Sequence, residues 1–280
     1  MKIGIWTRDY VLKWWGNALE RLGHHVYSNE RIEHLPNKID MFITDNNTWG
    51  WLGNPKLPDC FRIMVLNDEP KGTKTMPINE NDWNMICSVH WKTKGKYLRL
   101  PFAWADYMFK DLHEERSIQV GFVGTLKYDR GEFFNKVKPV ILMPEQTING
   151  VWISNELLQY AYNHMMIVLN YASGSDIYVK DHVTERCNCL GTREWEAMGC
   201  GCLVLTQPRK YISESFVVGK EILTYTDIDD LNKQIAYYLS HWDEAKKIIE
   251  AGQKRLAKEH TYVHRMQILL KEAKKHGLGR

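Results

Sequence analysis

The sequence lacks the long apolar segment that a membrane-spanning helix requires, because its longest apolar runs are only as long as strands. The first residues, MKIGIWTRDY, contain neither a long apolar core nor a small-residue cleavage site, so no signal peptide is predicted. Cysteine is sparse, with six in 280 residues, which disfavours a secreted fold built on disulfides. These absences predict a cytoplasmic protein, in the host cytoplasm if the source is viral.

An excess of charge of one sign is also missing. The formal net charge of +3 gives weak support for an anionic partner and none for a strongly basic nucleic-acid binder. A composition of 44% hydrophobic and 25% charged residues excludes a disordered or fibrous chain. The length suits one large domain or two domains of about 120 to 150 residues each.

Strand and helix patterns alternate along the first hundred residues. Residues 10–23 have helical spacing and end at Gly23, which is a good helix stop. The rhythm of strand, helix and strand predicts a parallel sheet of the Rossmann kind. The predicted strands are 2–6, 24–28, 39–45, 61–68, 82–89 and 96–103.

The same pattern restarts after the charged stretch 106–117, which we interpret as a linker. Residues 229–275 are almost entirely helical in pattern. The predicted organisation is therefore an N-terminal Rossmann-like domain at 1–105, a linker at 106–117 and a C-terminal Rossmann-like domain at 118–280. A cleft between the two halves would receive the binding loops at the carboxyl ends of their strands. The later predicted strands are 118–125, 139–144, 165–171 and 202–206, with a helix at 129–137.

The stretch CNCLGTREWEAMGCGC, residues 187–202, contains two C-x-C pairs. Structural zinc sites more often use a C-x2–4-C spacing, which fits tetrahedral geometry better. Cysteine also packs well as a small apolar residue where a helix meets a buried strand. The pattern favours packing, and a metal site formed by the four cysteines is the alternative.

The stretch GFVGTLKYDRGE, residues 121–132, is a strand that leads through a turn into a helix. Gly124 and Thr125 end the strand and expose backbone N–H groups, and Lys127 and Arg130 follow within a few residues. Backbone donors at a helix start with one or two cations are a common way to hold a diphosphate. An ordinary strand-turn-helix connection is the alternative.

Four acidic or basic-aromatic features have two interpretations each. Glu196 could bind a ribose diol or stabilise the helix dipole, and Asp9 could be a catalytic base or a helix cap. His90 is the second candidate catalytic residue. Its segment, 88–99, could contact a phosphate and a nucleobase, or it could form a solvated basic turn. Asp227 lies in a D-x-D sequence, but it directly precedes an amphipathic helix and is predicted to cap it.

Four motifs in the C-terminal half occur in a specific order. They are R-x-x-E-A-x-x-C-G at 193–201, G-K-E-I at 219–222, Y-Y-L at 237–239 and HTYVHRM at 260–266. In this order they resemble the glycosyltransferase group 1-like family of CgeB type, which includes spore-maturation proteins. The resemblance covers residues 96 to 275.

The resemblance implies a GT-B fold, in which the second of two Rossmann-like domains binds a nucleotide-diphosphate sugar, most often a UDP-sugar. Glu196 matches the family's ribose-binding glutamate, and Arg193 matches the arginine before it. Lys127 and Arg130 match positions that neutralise the diphosphate, and Tyr171 and Ser173 lie in a loop that would face the donor. The wider group carries a second glutamate eight residues before the first, where this chain has Asn188.

The expected reaction is transfer of a sugar from the nucleotide to an acceptor hydroxyl, with no metal or other cofactor required. The expected acceptors are a surface glycan, a protein, or a hydroxymethylated pyrimidine in DNA, as in small phage glycosyltransferases. A non-catalytic module that binds a nucleotide sugar on the same fold is the alternative, because fold does not fix function.

Overall fold

A computed structural model describes residues 1–7, 10–29, 32–51, 56–66, 79–89, 94–124, 126, 129–137, 141–143, 147–148, 151–152, 154–171, 178–179, 182–183 and 189–279. The chain divides into two compact units. The first unit is Met1–Pro101 together with Tyr262–Arg280, and the second is Phe102–Thr261.

The first unit is a parallel sheet of six strands with the order β2-β1-β3-β4-β5-β6. Its strands are β1 (Lys2–Trp6), β2 (His25–Asn29), β3 (Met41–Asp45), β4 (Phe61–Leu66), β5 (Met85–Ser88) and β6 (Tyr97–Arg99). The helices are α1 (Tyr10–Arg21), α2 (Asn46–Trp51) and α8 (Tyr262–Lys275), with 3-10 turns at Ile32–His34 and Glu80–Asp82.

The strands of the first sheet are apolar because helices and loops cover both faces of a parallel sheet. Aromatic rings fill much of one face: Trp49 meets Trp6 and Trp83 edge-on, at centroid distances of 5.8 and 5.2 Å. From β1 the chain passes first to β2 on one side and later to β3 on the other. Such a switch opens a crevice at the carboxyl ends of β1 and β3, the usual position of a ligand in this architecture.

The second unit is a parallel sheet of five strands with the order β15-β14-β11-β7-β8. Its strands are β7 (Ile118–Val123), β8 (Ile141–Met143), β11 (Met165–Asn170), β14 (Leu203–Thr206) and β15 (Leu223–Thr224). Two antiparallel pairs are β9 (Thr147–Ile148) with β10 (Val151–Trp152), and β12 (Tyr178–Val179) with β13 (His182–Val183). The helices are α3 (Arg130–Lys136), α4 (Asn155–Asn163), α5 (Thr192–Gly199), α6 (Ile228–Ser240) and α7 (Trp242–Glu259), with a 3-10 turn at Ile212–Glu214.

The second sheet has its own switch, because β8 lies on one side of β7 and β11 on the other. The carboxyl ends of β7 and β11 are therefore the expected ligand position in this unit. Buried residues from β7, β11, β14 and helix α6 share one core below this edge, and they include Phe122, Leu169, Leu205 and Leu231. None of the helices in the described ranges is both long and apolar enough to cross a membrane.

The compact units differ from the predicted domain boundaries in three places. The N-terminal segment of the first unit ends at Pro101, whereas the predicted domain ends at residue 105. Helix α8 lies in the first unit, where the Tyr262 ring is 5.5 Å from the Trp14 ring of α1. Residues 106–117, predicted to be a linker, belong to the second unit, where Asn163 donates to the Lys110 carbonyl and accepts from the Leu112 amide. The sequence of an amphipathic helix shows that one of its faces is buried, but it does not show which surface that face packs against. The same is true of the charged segment 106–117, whose packing partner depends on the whole fold.

Candidate functional site

Gly124 directly follows strand β7, and its backbone φ is +154°. A Cβ built on this residue would lie 2.8 Å from the Phe122 ring and 2.8 Å from Nη2 of Arg193. Only glycine fits both the backbone conformation and the space. The strand end therefore stays narrow enough for the Arg193 guanidinium to lie directly against it.

Two guanidinium groups gather at this strand end. The Phe122 ring, which is fully buried, has Arg193 at 5.1 Å and Arg130 at 5.9 Å from its centroid. Arg130 also donates from Nε to the carbonyl of Tyr171, which links the ends of β7 and β11. Two positive groups this close favour an anion between or beside them, and a guanidinium matches the geometry of phosphate oxygens.

Asn170, the last residue of β11, fixes the position of two charged side chains of helix α5. Its Oδ1 accepts from Nη1 of Arg193 at 2.7 Å, and its Nδ2 donates to Oε1 of Glu194. Thr206, the last residue of β14, donates to the same Glu194 oxygen at 3.0 Å. The ends of two strands therefore hold a cation and an anion side by side at the first turn of α5.

Tyr171 follows Asn170 and is held from two sides. Its ring stacks on Phe133 at 3.9 Å, and its hydroxyl donates to Asp129 at 2.7 Å. Burial, followed by this hydrogen bond to a carboxylate, raises the pKa of Tyr171 to about 12, so the hydroxyl stays protonated near neutral pH.

An open pocket of about 580 Å³ lies at the carboxyl ends of β14 and β15, beside Tyr171. Aromatic rings and the start of helix α6 form its walls, with one arginine contributing positive charge. It is lined by Phe133, Tyr171, Gln207, Pro208, Arg209, Tyr225, Thr226, Asp227, Ile228 and Asp229. The hydroxyl of Tyr225 donates to the carbonyl of Asn170 at 2.8 Å, so the pocket adjoins the site around Arg193 and Glu194.

Glu196 lies one half-turn further along α5 and has different neighbours. It is 5% exposed, and its Oε2 accepts from the Tyr162 hydroxyl of α4 at 3.2 Å. Burial raises the pKa of Glu196 to about 7, against the opposing effect of Arg193 and of hydrogen bonds from Tyr162 and Thr192. This carboxyl group is therefore partly protonated at neutral pH.

Cys200 and Cys202 pack around Arg116, a residue of the predicted linker. Its guanidinium donates to the carbonyls of Met165 (2.6 Å) and Cys200 (2.8 Å), and the Cys202 thiol donates to the Tyr162 carbonyl at 3.1 Å. Burial raises the pKa of Cys202 to about 12, which disfavours the thiolate that a metal would need. Cys187 is outside the described residues; within them, no group of three or more His, Cys, Asp or Glu side chains is arranged to hold a metal ion.

The structure brings four of the predicted donor-site residues to one edge of the second sheet: Gly124, Arg130, Tyr171 and Arg193. Glu196 is nearby but faces α4. The prediction that Asp227 caps a helix is confirmed, because its Oδ1 accepts from the Asp230 amide at 2.8 Å. The remaining predicted residues, Asp9, His90, Thr125, Lys127 and Ser173, and also Asn188, lie outside the described residues.

Sequence reasoning missed Asn170, Glu194 and Thr206. A usable signal was present: MMIVLN and LVLT are apolar runs that end in a polar residue, at the edge where parallel sheets bind ligands. Glu194 lies inside the recognised motif, at one of its variable positions, so the motif directed attention to Glu196 instead.

The carboxyl edge of the first sheet also holds a buried carboxylate. Asp45, at the end of β3, accepts from the Thr7 hydroxyl (2.7 Å), the Thr48 amide (2.8 Å) and the Thr48 hydroxyl (2.7 Å). All three residues are at most 2% exposed. Both oxygens of Asp45 thus have protein partners, and they tie the end of β1 to the first turn of α2.

The sequence profile of a family described as glycosyl transferase-like matches residues 106–271, which is more than half of the chain. The chain belongs to this glycosyl transferase-like family. The matched segment contains every residue of the site around Gly124, Asn170 and Arg193. No curated protein sequence matches the chain.

Solved structures of glycosyltransferases share the fold of this family member. An alpha-glucosyltransferase in complex with UDP-glucose and DNA containing an abasic site superposes with a TM-score of 0.69 at 10% identity, covering 98% of this chain and 99% of that one. BGT of T4 phage, in complex with UDP and Mn2+, has a TM-score of 0.60 at 12% identity, with coverages of 98% and 99%. Sucrose-phosphate synthase from Thermosynechococcus elongatus has a TM-score of 0.60 at 11% identity, with coverages of 98% and 99%. The predicted GT-B fold is confirmed.

Proposed function

We propose that this protein transfers a sugar from a nucleotide-diphosphate sugar, in the first place a UDP-sugar, to an acceptor hydroxyl. The observation that carries the proposal is the pair of guanidinium groups, Arg130 and Arg193, around Phe122 at the end of β7. This is the switch point of the second sheet, where the fold places ligands. Membership of the glycosyl transferase-like family and the UDP ligands of the structural neighbours support the same donor class.

The mechanism follows from where charge develops. Breaking the bond between sugar and diphosphate leaves negative charge on the diphosphate. Arg130, Arg193 and the backbone around Gly124 would stabilise that charge, with Thr125 and Lys127 in the same loop. These cations give the chain a means of neutralising the leaving group without a metal ion, which is the route we propose.

The other proposed roles follow the resemblance to the CgeB type. Glu196 would bind the ribose, Tyr171 and Ser173 would face the donor, and Asp9 and His90 are the candidate residues for activating the acceptor. Glu196 would act there partly in its protonated form, since its pKa is raised to about 7.

For the acceptor, we propose a hydroxymethylated pyrimidine in DNA as the first to test, with a surface glycan as the second. The support for DNA is the alpha-glucosyltransferase neighbour, which was solved with DNA and with UDP-glucose. The mild net charge of +3 fits either acceptor. DNA binding that weakens steeply as salt increases would support the first acceptor.

The test is incubation of the protein with a panel of nucleotide sugars and with hydroxymethylated DNA, unmodified DNA and glycan acceptors, read by mass spectrometry. We expect the mass of one class of acceptor to increase by one sugar, with release of the nucleoside diphosphate. Donor binding with neither product nor hydrolysis would instead indicate a non-catalytic nucleotide-sugar module. Absence of binding to every donor would refute the proposal.

A further inference from the structure

Arg193 and Glu194 each keep one polar atom without a hydrogen-bond partner. The atoms are Nε of Arg193 and Oε2 of Glu194, and both are shielded from solvent within the described structure. Glu194 as a whole is only 1% exposed. A buried carboxylate oxygen with no donor beside it is unfavourable, so native proteins keep such an atom only where something else satisfies it.

The rest of the Glu194 carboxylate is firmly held. Its Oε1 accepts from the Asn170 amide and from the Thr206 hydroxyl, each at the end of a strand. Fixing one oxygen of a planar carboxylate fixes the other, so Oε2 has a defined position before any ligand arrives. The same Asn170 side chain also accepts from Arg193, so a single amide sets the geometry of both charged groups.

Two glycines lie against this pair. A Cβ on Gly191, the residue that caps α5, would lie 3.3 Å from Oε2 of Glu194. A Cβ on Gly124 would lie 2.8 Å from Nη2 of Arg193. A side chain at either position would therefore crowd the carboxylate oxygen or the guanidinium.

We propose that Glu194 contacts the nucleotide-sugar donor: Oε2 accepts a hydrogen bond from a donor hydroxyl, and Asn170 is the residue that positions Glu194 and Arg193. The inference rests on the proposed function. An acceptor oxygen next to a guanidinium matches a ligand in which a hydroxyl group lies close to a phosphate. In a nucleotide sugar, the ribose and the transferred sugar both meet this description. Glu194 thus acts in addition to Glu196, whose Oε2 already has Tyr162 as a partner.

The test is calorimetric titration of UDP, 2′-deoxy-UDP and UDP-glucose into the wild type, Glu194→Gln and Gly191→Ala. A hydrogen bond to a charged group predicts that Glu194→Gln weakens UDP-glucose binding about tenfold or more. Gly191→Ala keeps the Glu194 carboxylate but crowds its Oε2, so this variant should also bind UDP-glucose more weakly than the wild type. Glu250→Gln, an exposed glutamate of the same unit, is the matched control and should bind like the wild type.

The ligands separate the two sources of the hydroxyl. If Glu194 binds the ribose 2′-hydroxyl, Glu194→Gln weakens UDP and UDP-glucose equally and has little effect on 2′-deoxy-UDP. If it binds the sugar, only UDP-glucose is weakened. A structural role alone would lower the unfolding free energy of Glu194→Gln without this dependence on the ligand.

Two negative outcomes are distinct. Equal affinity of the wild type and Glu194→Gln for every ligand would overturn the role of Glu194 and leave the proposed function standing. If the wild type binds neither UDP, 2′-deoxy-UDP and UDP-glucose nor any other nucleotide sugar of the panel, the proposed function and the inference are both wrong.

Discussion

The two sheets of this chain end in buried carboxylates with opposite surroundings. Asp45 in the first sheet has three protein donors for its two oxygens, whereas Glu194 in the second sheet has donors for only one. A fully satisfied carboxylate serves the fold, because it joins the end of one strand to the start of a helix. A partly satisfied carboxylate beside an arginine is arranged for something that the chain itself does not supply. The difference assigns stability to the first group and ligand binding to the second.

The largest effect is expected for Asp45→Ala. Removal of the carboxylate breaks the hydrogen bonds that Asp45 accepts from the Thr7 hydroxyl, the Thr48 amide and the Thr48 hydroxyl. Loss of three hydrogen bonds to one buried carboxylate costs about 4 kcal/mol in unfolding free energy, measured by urea denaturation. The affinity of the folded variant for UDP-glucose should be unchanged. If Asp45→Ala were as stable as the wild type but unable to bind the donor, Asp45 would be a ligand-binding residue and not a structural one.

A third buried carboxylate, Glu196, adds a pH dependence to the comparison. Its pKa is raised from 4.5 to about 7 in the folded chain, mainly by burial, so between these pH values the folded state holds a proton that the unfolded state has lost. The stability contributed by the protonated group is complete below pH 4.5 and is lost as the pH rises towards about 7. The total loss is about 3 kcal/mol.

Urea denaturation at pH 5 and pH 8 checks this, with Glu196→Gln as the reference. The wild type should lose stability over this range relative to the variant, which cannot ionise. If the unfolding free energies of the two proteins differed by the same amount at pH 5 and at pH 8, Glu196 would be ionised at both pH values.

Arg193→Ala should weaken binding of UDP-glucose about a hundredfold, because charge-assisted hydrogen bonds to a diphosphate contribute about 1.5 to 3 kcal/mol each. The variant should remain folded, since the side chain lies at the surface of the core, over Phe122. Titration calorimetry measures the affinity, and Lys247→Ala, an exposed cation on helix α7 of the same unit, is the control. Unchanged donor affinity in Arg193→Ala would remove the basis of the site.

Gly124→Ala tests the strand end between Arg193 and Phe122. The added Cβ would meet both side chains at 2.8 Å in a backbone conformation that favours glycine. We expect about a tenfold loss of donor affinity and about 1 kcal/mol of stability, since the guanidinium must shift to make room. An affinity equal to that of the wild type would mean that the position of Arg193 matters less than its charge.

Much of the fold was predictable because buried parallel strands have continuous apolar sequences. The predicted strands 2–6, 61–68, 118–125 and 165–171 contain the observed strands β1, β4, β7 and β11. Helix α4 was missed, and helix α8 was predicted as a helix but grouped with the second unit. Sequence spacing shows that a helix has an apolar face, but the partner of that face depends on the whole fold.

The site was predictable to the level of its strand ends but not of its individual contacts. Gly124 and Arg130 could be found because a strand followed by a turn and a helix places backbone donors and cations in a fixed order. Glu194 and Asn170 could not be paired from sequence, since they are 24 residues apart and meet only when α5 packs over the end of β11. Which carboxylate of TREWEA faces the strand ends depends on the rotation of that helix.

The most direct measurement is hydrogen–deuterium exchange of the wild type with and without UDP-glucose, resolved by peptide. The strongest protection is expected at 118–124 and 189–199, where β7 ends and α5 begins. Residues 41–51, around Asp45, should gain much less protection from UDP-glucose, because the hydrogen bonds of Asp45 are already made within the protein. Protection centred on residues 41–51, with none at 118–124 and 189–199, would contradict the assignment of the donor site to the second sheet.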